Sequence, residues 1–136
     1  MNANILEKAN QIVKTSSKAQ IGVIDENGFP SVSTVSVINP ESIYETYLST
    51  GLGSNKVRRL SKDNRASICY CVGGDNITLV GEAEILTDQP TKDRLWQDWF
   101  INHFPGGKTD PNYCIIKIKT KRVSLWVAQE SVESEV

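Results

Sequence analysis

Hydrophobic positions at the start of the chain keep a helical period. Ile5, Ala9, Ile12 and Val13 form one stripe, with Glu7, Lys8, Gln11 and Lys14 around the rest. That spacing predicts a helix from about Asn4 to Ser16. The period then shortens to two. Ala19 to Ile24 reads as a strand, and Asp25-Glu26-Asn27-Gly28 as a turn ending in Asn-Gly. Phe29 to Ile38 is the returning strand, its valines interleaved with serines and Thr34. Pro30 stands near its start, where a missing N–H is tolerated. Asn39-Pro40-Glu41-Ser42 turns the chain into Ile43 to Ser49, so three successive strands predict an antiparallel meander.

Farther on, Val57 and Leu60 lie three apart and suit a short helix opening near Ser54. Ala66 to Val72 is an apolar run fit for a buried strand. After Gly73-Gly74-Asp75-Asn76, residues Ile77 to Leu86 alternate again, and Gly81 in mid-strand predicts a bulge or bend. Thr91 is a candidate cap for a helix from Lys92 to about His103, stopped by Pro105-Gly106-Gly107. Strands over Tyr113–Lys119 and Arg122–Val127 complete the pattern. The polar, acidic residues 128–136 predict a frayed tail behind a single domain of residues 5–127. Strands in direct succession disfavour a parallel doubly wound sheet. The expected class is mainly β (α+β): a six- to seven-stranded antiparallel barrel with flanking helices.

Between the third strand and the short helix lies Leu48-Ser49-Thr50-Gly51-Leu52-Gly53-Ser54-Asn55-Lys56. The first N–H groups of a helix lack internal partners, and its dipole leaves partial positive charge there. Ser49, Thr50 and Ser54 add hydroxyls, and Lys56 adds a full charge. Two readings fit: a phosphate pocket, or a serine cap followed by solvated cations, Arg58 and Arg59 among them. The segment lacks the Gly-Lys-Ser/Thr ending of a P-loop.

Composition narrows the partners. The chain has 136 residues, 39% of them hydrophobic, and a formal net charge of −1. No global field favours nucleic acid, so an anion site has to be local. No apolar run approaches the ~18–20 residues that span a membrane. The first residues do not read as a secretory leader, so the cytoplasm is the expected compartment. Three cysteines, an odd count, do not form a disulfide framework. Cys69, Cys71 and Cys114 read as buried or half-buried small hydrophobes. No metal-ligand set is complete. The single histidine, His103, reads as a helix-end residue, and Trp96 and Trp99 as packing on one helix face. Trp126 faces away from Val123, Leu125 and Val127, which leaves packing and an interface or ligand role both open.

Taken in order, several segments resemble the pyridoxamine-phosphate-oxidase-like split β-barrel proteins, in particular the general stress protein group that binds flavin. They are Ile21 to Asp25 with Asn27-Gly28-Phe29-Pro30, then Tyr47-Leu48-Ser49-Thr50 leading to Ser54-Asn55-Lys56-Val57. Asn64-Arg65-Ala66, Val80-Gly81-Glu82-Ala83 and Val123-Ser124-Leu125-Trp126 follow. The resemblance implies a split β-barrel homodimer with two flavin mononucleotide (FMN) sites at the subunit interface. Phosphate would lie by Ser54, Asn55 and Lys56, beside Ser49 and Thr50. The ring would run along Ser33, Thr34 and Val35, with Asn76 reaching it and Trp126 approaching from the partner.

Where the vitamin B6 oxidases carry an arginine, this chain has Ser33, and their C-terminal arginine-histidine segment has no counterpart. Pyridoxamine-phosphate oxidation is therefore not expected. The implied activity is a flavin-dependent oxidoreductase acting on an unidentified small molecule, with an electron donor such as NADH or NADPH. A flavin-binding or sensing module without turnover is the alternative, followed by a haem-binding barrel. No residue stands out as a catalytic acid or base.

Overall fold

The computed structural model describes residues 1–136. Helix α1 (Ala3–Lys14) starts at Asn2, whose side-chain oxygen accepts the Ile5 N–H at 2.8 Å. Its stripe of Ile5, Ala9 and Val13 is buried in the main core. Seven strands follow: β1 (Lys18–Ile24), β2 (Pro30–Ser36), β3 (Glu45–Gly51), β4 (Arg65–Val72), β5 (Asp75–Leu86), β6 (Tyr113–Val127) and β7 (Glu130–Glu135). Helix α2 (Asn55–Lys62) lies between β3 and β4, and α3 (Gln89–Leu95) follows β5.

All strand pairs are antiparallel, in the order β2-β1-β4-β5-β6-β3, with β7 also on β6. The expected meander is corrected in one respect: β3 pairs with β6, not with β2. Asn39, at φ 38°, swings the chain aside before Pro40. β3 then lies beside the apolar run Cys114-Ile115-Ile116, every residue of which is fully buried. Only the Ile38 N–H, donating to the Tyr47 carbonyl at 2.9 Å, ties the end of β2 toward β3. The sheet therefore curls into a barrel left open along much of that seam. It is a split barrel.

Gly81 marks the expected irregularity, with the β5–β6 register shifting between Val80 and Gly81. The two predicted C-terminal strands are one continuous β6. The residues expected to fray form β7, whose Val132 packs on the core. A two-residue turn, Ala128-Gln129, joins the two strands, both residues having positive φ. The predicted helix from Lys92 to His103 is also revised. Asp88, rather than Thr91, caps α3, and a 3-10 turn over Asp98–Asn102 replaces the second half. Trp96 breaks the helix by packing edge-on against Phe100 and Tyr113, with ring centroids 5.4 and 5.3 Å away. These aromatics form a second small core on the outer side of β6, so Tyr113 and Ile115 serve one face while Ile116 and Ile118 serve the other.

Candidate functional site

Ser54 is the N-cap of α2: its hydroxyl accepts the Val57 N–H at 3.3 Å. The same oxygen accepts a hydrogen bond from the Thr50 hydroxyl at 3.0 Å. Strand alternation puts Ser49 on the opposite face of β3, beside the second core, so Thr50 is the strand hydroxyl that adjoins the helix. The N–H groups of Asn55 and Lys56 have no acceptor within the chain, as the first turn of a helix dictates. Lys56 is half-buried and forms neither an ion pair nor a side-chain hydrogen bond. Asn55 accepts from Arg58 Nη2 at 2.8 Å, leaving its own amide NH2 without a partner.

The loop before α2 is braced from behind. Ser54 N–H donates to the Gly51 carbonyl at 3.0 Å, and Leu52 N–H to the Asn112 carbonyl at 2.8 Å. A Cβ on Gly51 would meet the Asn112 amide at 2.8 Å, so a larger residue here would displace that side chain. The buried Cys114 thiol donates to the Thr50 carbonyl at 3.3 Å, and burial pushes that thiol up to about 11. Lys92, 6% exposed, donates to the Asp110 carbonyl at 3.2 Å, and the Asp110 carboxylate accepts the Asn112 N–H at 2.9 Å. Sequence reasoning missed these braces. Asp110-Pro111-Asn112 carried a turn signal, but nothing local reveals the β3–β6 pairing that carries Cys114 to Thr50.

Across the seam lies β2, an edge strand. Two bonds, Asp25 N–H to Phe29 O and Val37 N–H to Ser17 O, set the phase of its ladder with β1. Alternation then directs the backbone groups of Val32, Thr34 and Ser36 off the free edge. The side chains of Ser31, Ser33 and Val35 share the core-side face, opposite Val23, Ile21 and Ala19. Those three β1 residues are buried, whereas Ser33 is exposed. The barrel is open over Ser33. At this margin Glu26, in the β1–β2 turn, takes Arg59 by two bonds of 3.0 and 3.2 Å and Arg58 by one of 3.0 Å. The Arg59 guanidinium, more than any other group, holds the Glu26 carboxyl down to about 2. Arg58 and Arg59 are thus tied between helix and turn rather than free in solvent.

Asn76 and Trp126 face each other across β5 and β6, both exposed on the outer side of the sheet. Within one chain β1 and β4 separate Asn76 from β2, and β5 stands between as well for Trp126, about 14 and 19 Å at the usual strand spacing. One chain does not bring all ten predicted positions together. Cys69 is half-buried and Cys114 buried, but Cys71 is exposed on that outer face beside Asn76, contrary to expectation. Trp96 packs in the second core, while Trp99 is 48% exposed with His103 at its edge. No group of three or more histidine, cysteine or carboxylate side chains is placed to hold a metal. No helix is long and apolar enough to cross a membrane.

Fold and site together define a seven-stranded split barrel with an unpaired lysine and free helix amides beside its seam. The chain belongs to the pyridoxamine 5'-phosphate oxidase like family, whose profile matches residues 5–135. Its fold is that of a Clostridium acetobutylicum protein related to general stress protein 26 (TM-score 0.87, 24% identity, covering 100% of this chain and 97% of the other). General stress protein 26 of Bacillus anthracis is also similar (TM-score 0.81, 18% identity, 98% and 99% covered). So is a Nostoc punctiforme protein described as pyridoxamine 5'-phosphate oxidase-related and FMN binding (TM-score 0.69, 15% identity, 98% and 93% covered). No curated protein sequence matches the chain.

Proposed function

We propose that the protein binds FMN along the seam between β2 and α2 and uses it as a flavin-dependent oxidoreductase on a small molecule. The observation that carries this reading is the arrangement at the start of α2: two free N–H groups, the Thr50–Ser54 hydroxyl pair and an unpaired Lys56 all belong to the end of β3 and the first turn of the helix. A phosphate monoester supplies the acceptors and the charge that such a spot lacks. Membership of the pyridoxamine 5'-phosphate oxidase like family, together with a structural neighbour described as FMN binding, supports flavin as the bearer of that phosphate.

The remaining predicted residues fit a flat heteroaromatic ring. The edge-directed backbone groups around Thr34 match its polar rim, and the exposed side of β2 at Ser33 leaves room beside Val35. When bound, the flavin supplies the electron or hydride transfer. The chain's own residues bind, orient and shield it.

A second copy completes the site in this proposal. On the outer face, Thr34, Gln20, Cys69, Thr78 and Ser124 lie in one register row across five strands, none of them charged. Val32 on β2 is 67% exposed and Trp126 44%. An uncharged row with exposed apolar side chains beside it, on a face whose charges such as Lys18, Arg122 and Glu133 lie in the flanking rows and on β7, fits burial against another copy. That copy would bring its Asn76 and Trp126 to a ring they cannot reach within one chain.

Titration of the purified protein with FMN, followed by addition of NADH or NADPH in air, tests the proposal. Saturable FMN binding with bleaching and reoxidation supports the oxidoreductase. Binding without bleaching by any reductant leaves a non-catalytic flavin module, and no binding removes flavin from the account.

A further inference from the structure

Arg59 is 21% exposed and leans from α2 toward β2. The Glu26 carboxylate grips its Nε and Nη2 edge, which fixes the plane of the guanidinium. The other edge faces the strand. There Nη1 finds only the Ser31 hydroxyl at 3.4 Å, a long contact that leaves donor capacity unspent. Ser31 shares its face of β2 with Ser33, the exposed residue at the barrel opening. Arg58 also bonds Glu26, so two guanidiniums share one carboxylate, with the Asp25 carboxylate near enough to act on Arg59 as well.

Lys56 and Arg59 are three apart on α2 and so lie on one side of it, and helical side chains lean toward the N-terminus. A phosphate monoester carries about −1.5 to −2 charges at neutral pH, whereas Lys56 supplies one. We infer that Arg59 is the second cation of the phosphate site and that Glu26 aims it. The β1–β2 turn and α2 thereby distinguish a phosphorylated flavin from its unphosphorylated parent. The inference rests on the flavin-phosphate reading above and names a further specificity-determining residue for it.

The test is a fluorescence titration of wild type, Arg59→Gln and Arg59→Lys with FMN and, separately, with riboflavin. Circular dichroism establishes that each variant is folded. Arg59→Gln should weaken FMN binding roughly tenfold or more while leaving riboflavin binding unchanged, and Arg59→Lys should recover part of the loss. Unchanged FMN affinity in Arg59→Gln overturns the inference, as does an equal loss for both flavins, which marks a structural role. A wild type that binds the two flavins alike overturns the flavin-phosphate reading itself, whatever the variants do.

Discussion

Gly81 of β5 lies against the backbone of Lys119 on β6. A Cβ built on it would overlap the Lys119 carbonyl oxygen and stand 2.8 Å from the carbonyl carbon. The register shifts at this point, so the close approach is how the long β5–β6 pair bends into a barrel. Gly81→Ala should lower stability by about 1–3 kcal/mol, because the obstacle is backbone rather than a movable side chain. Urea denaturation measures it. An unchanged midpoint would mean that the bend tolerates a methyl group.

Ser54 and Lys56 make separable contributions. Ser54→Ala removes the cap of α2 and the acceptor for Thr50, and should cost about 1 kcal/mol of stability without ligand. Lys56 has no partner in the chain, so Lys56→Ala should leave the melting curve in place. Its effect belongs to FMN binding, a loss of about 1–3 kcal/mol for a charge-assisted contact. Thermal melts and flavin titration of the two variants check both. Equal flavin affinity in Lys56→Ala and wild type would reduce this lysine to an ordinary surface cation.

Tyr70 and Tyr113 set the alkaline limit. Burial pushes both phenols from 10.0 up to about 12. Above pH 10 an unfolded chain ionises its tyrosines while the folded one keeps these two neutral. Their contribution is therefore full below pH 10 and is lost as pH rises toward 12. Absorbance of tyrosinate, followed alongside circular dichroism, should show these two ionising only near pH 12 or on unfolding. Ionisation of both near pH 10 in a still-folded protein would contradict their burial.

Trp126 reports on the proposed second copy. If its exposed ring meets flavin across an interface, FMN should quench tryptophan fluorescence, and Trp126→Phe should remove most of the effect. Trp96 and Trp99 lie on or beside the second core, on another part of the surface. Sedimentation at several concentrations gives the stoichiometry directly. A monomer that binds FMN with quenching unaltered in Trp126→Phe would take both the partner and this tryptophan out of the site.

The parts of this fold legible in the sequence are those decided by neighbours in the chain. The stripe of Ile5, Ala9 and Val13, the Ser54 cap and the misfit of Gly81 in an alternating strand are all local features. Partners decided by long-range pairing were not legible. Glu26 and Arg59 are 33 residues apart and look like unrelated surface charges until the β1–β2 turn meets α2. The same holds for Cys114 and Thr50, 64 apart. Thr91 resembles a cap, yet Asp88 lies three residues earlier, and its carboxylate accepts both the Thr91 N–H and its hydroxyl.

The last strand was hidden for another reason, which can itself be tested. Ala128 and Gln129, at φ 52° and 64°, form the two-residue turn between Val127 and Glu130. Hairpins of this length favour turns with positive φ at both central positions, where Asn-Gly is the usual pair. An alanine and a glutamine give no such signal, so the residues after Val127 read as a tail. Left-handed backbone costs a residue with a Cβ about 1–2 kcal/mol, a penalty glycine escapes. Gln129→Gly should therefore stabilise the protein by about 1 kcal/mol, and Ala128→Asn by somewhat less. The bond from the Ala128 N–H to the Asp75 carboxylate, at 3.0 Å, is retained in both because residue 128 contributes only its backbone N–H. Hydrogen exchange should slow across β7 in each variant. If Gln129→Gly loosens β7 instead, the two-residue turn is wrong and the end of the chain does not close the sheet as a hairpin.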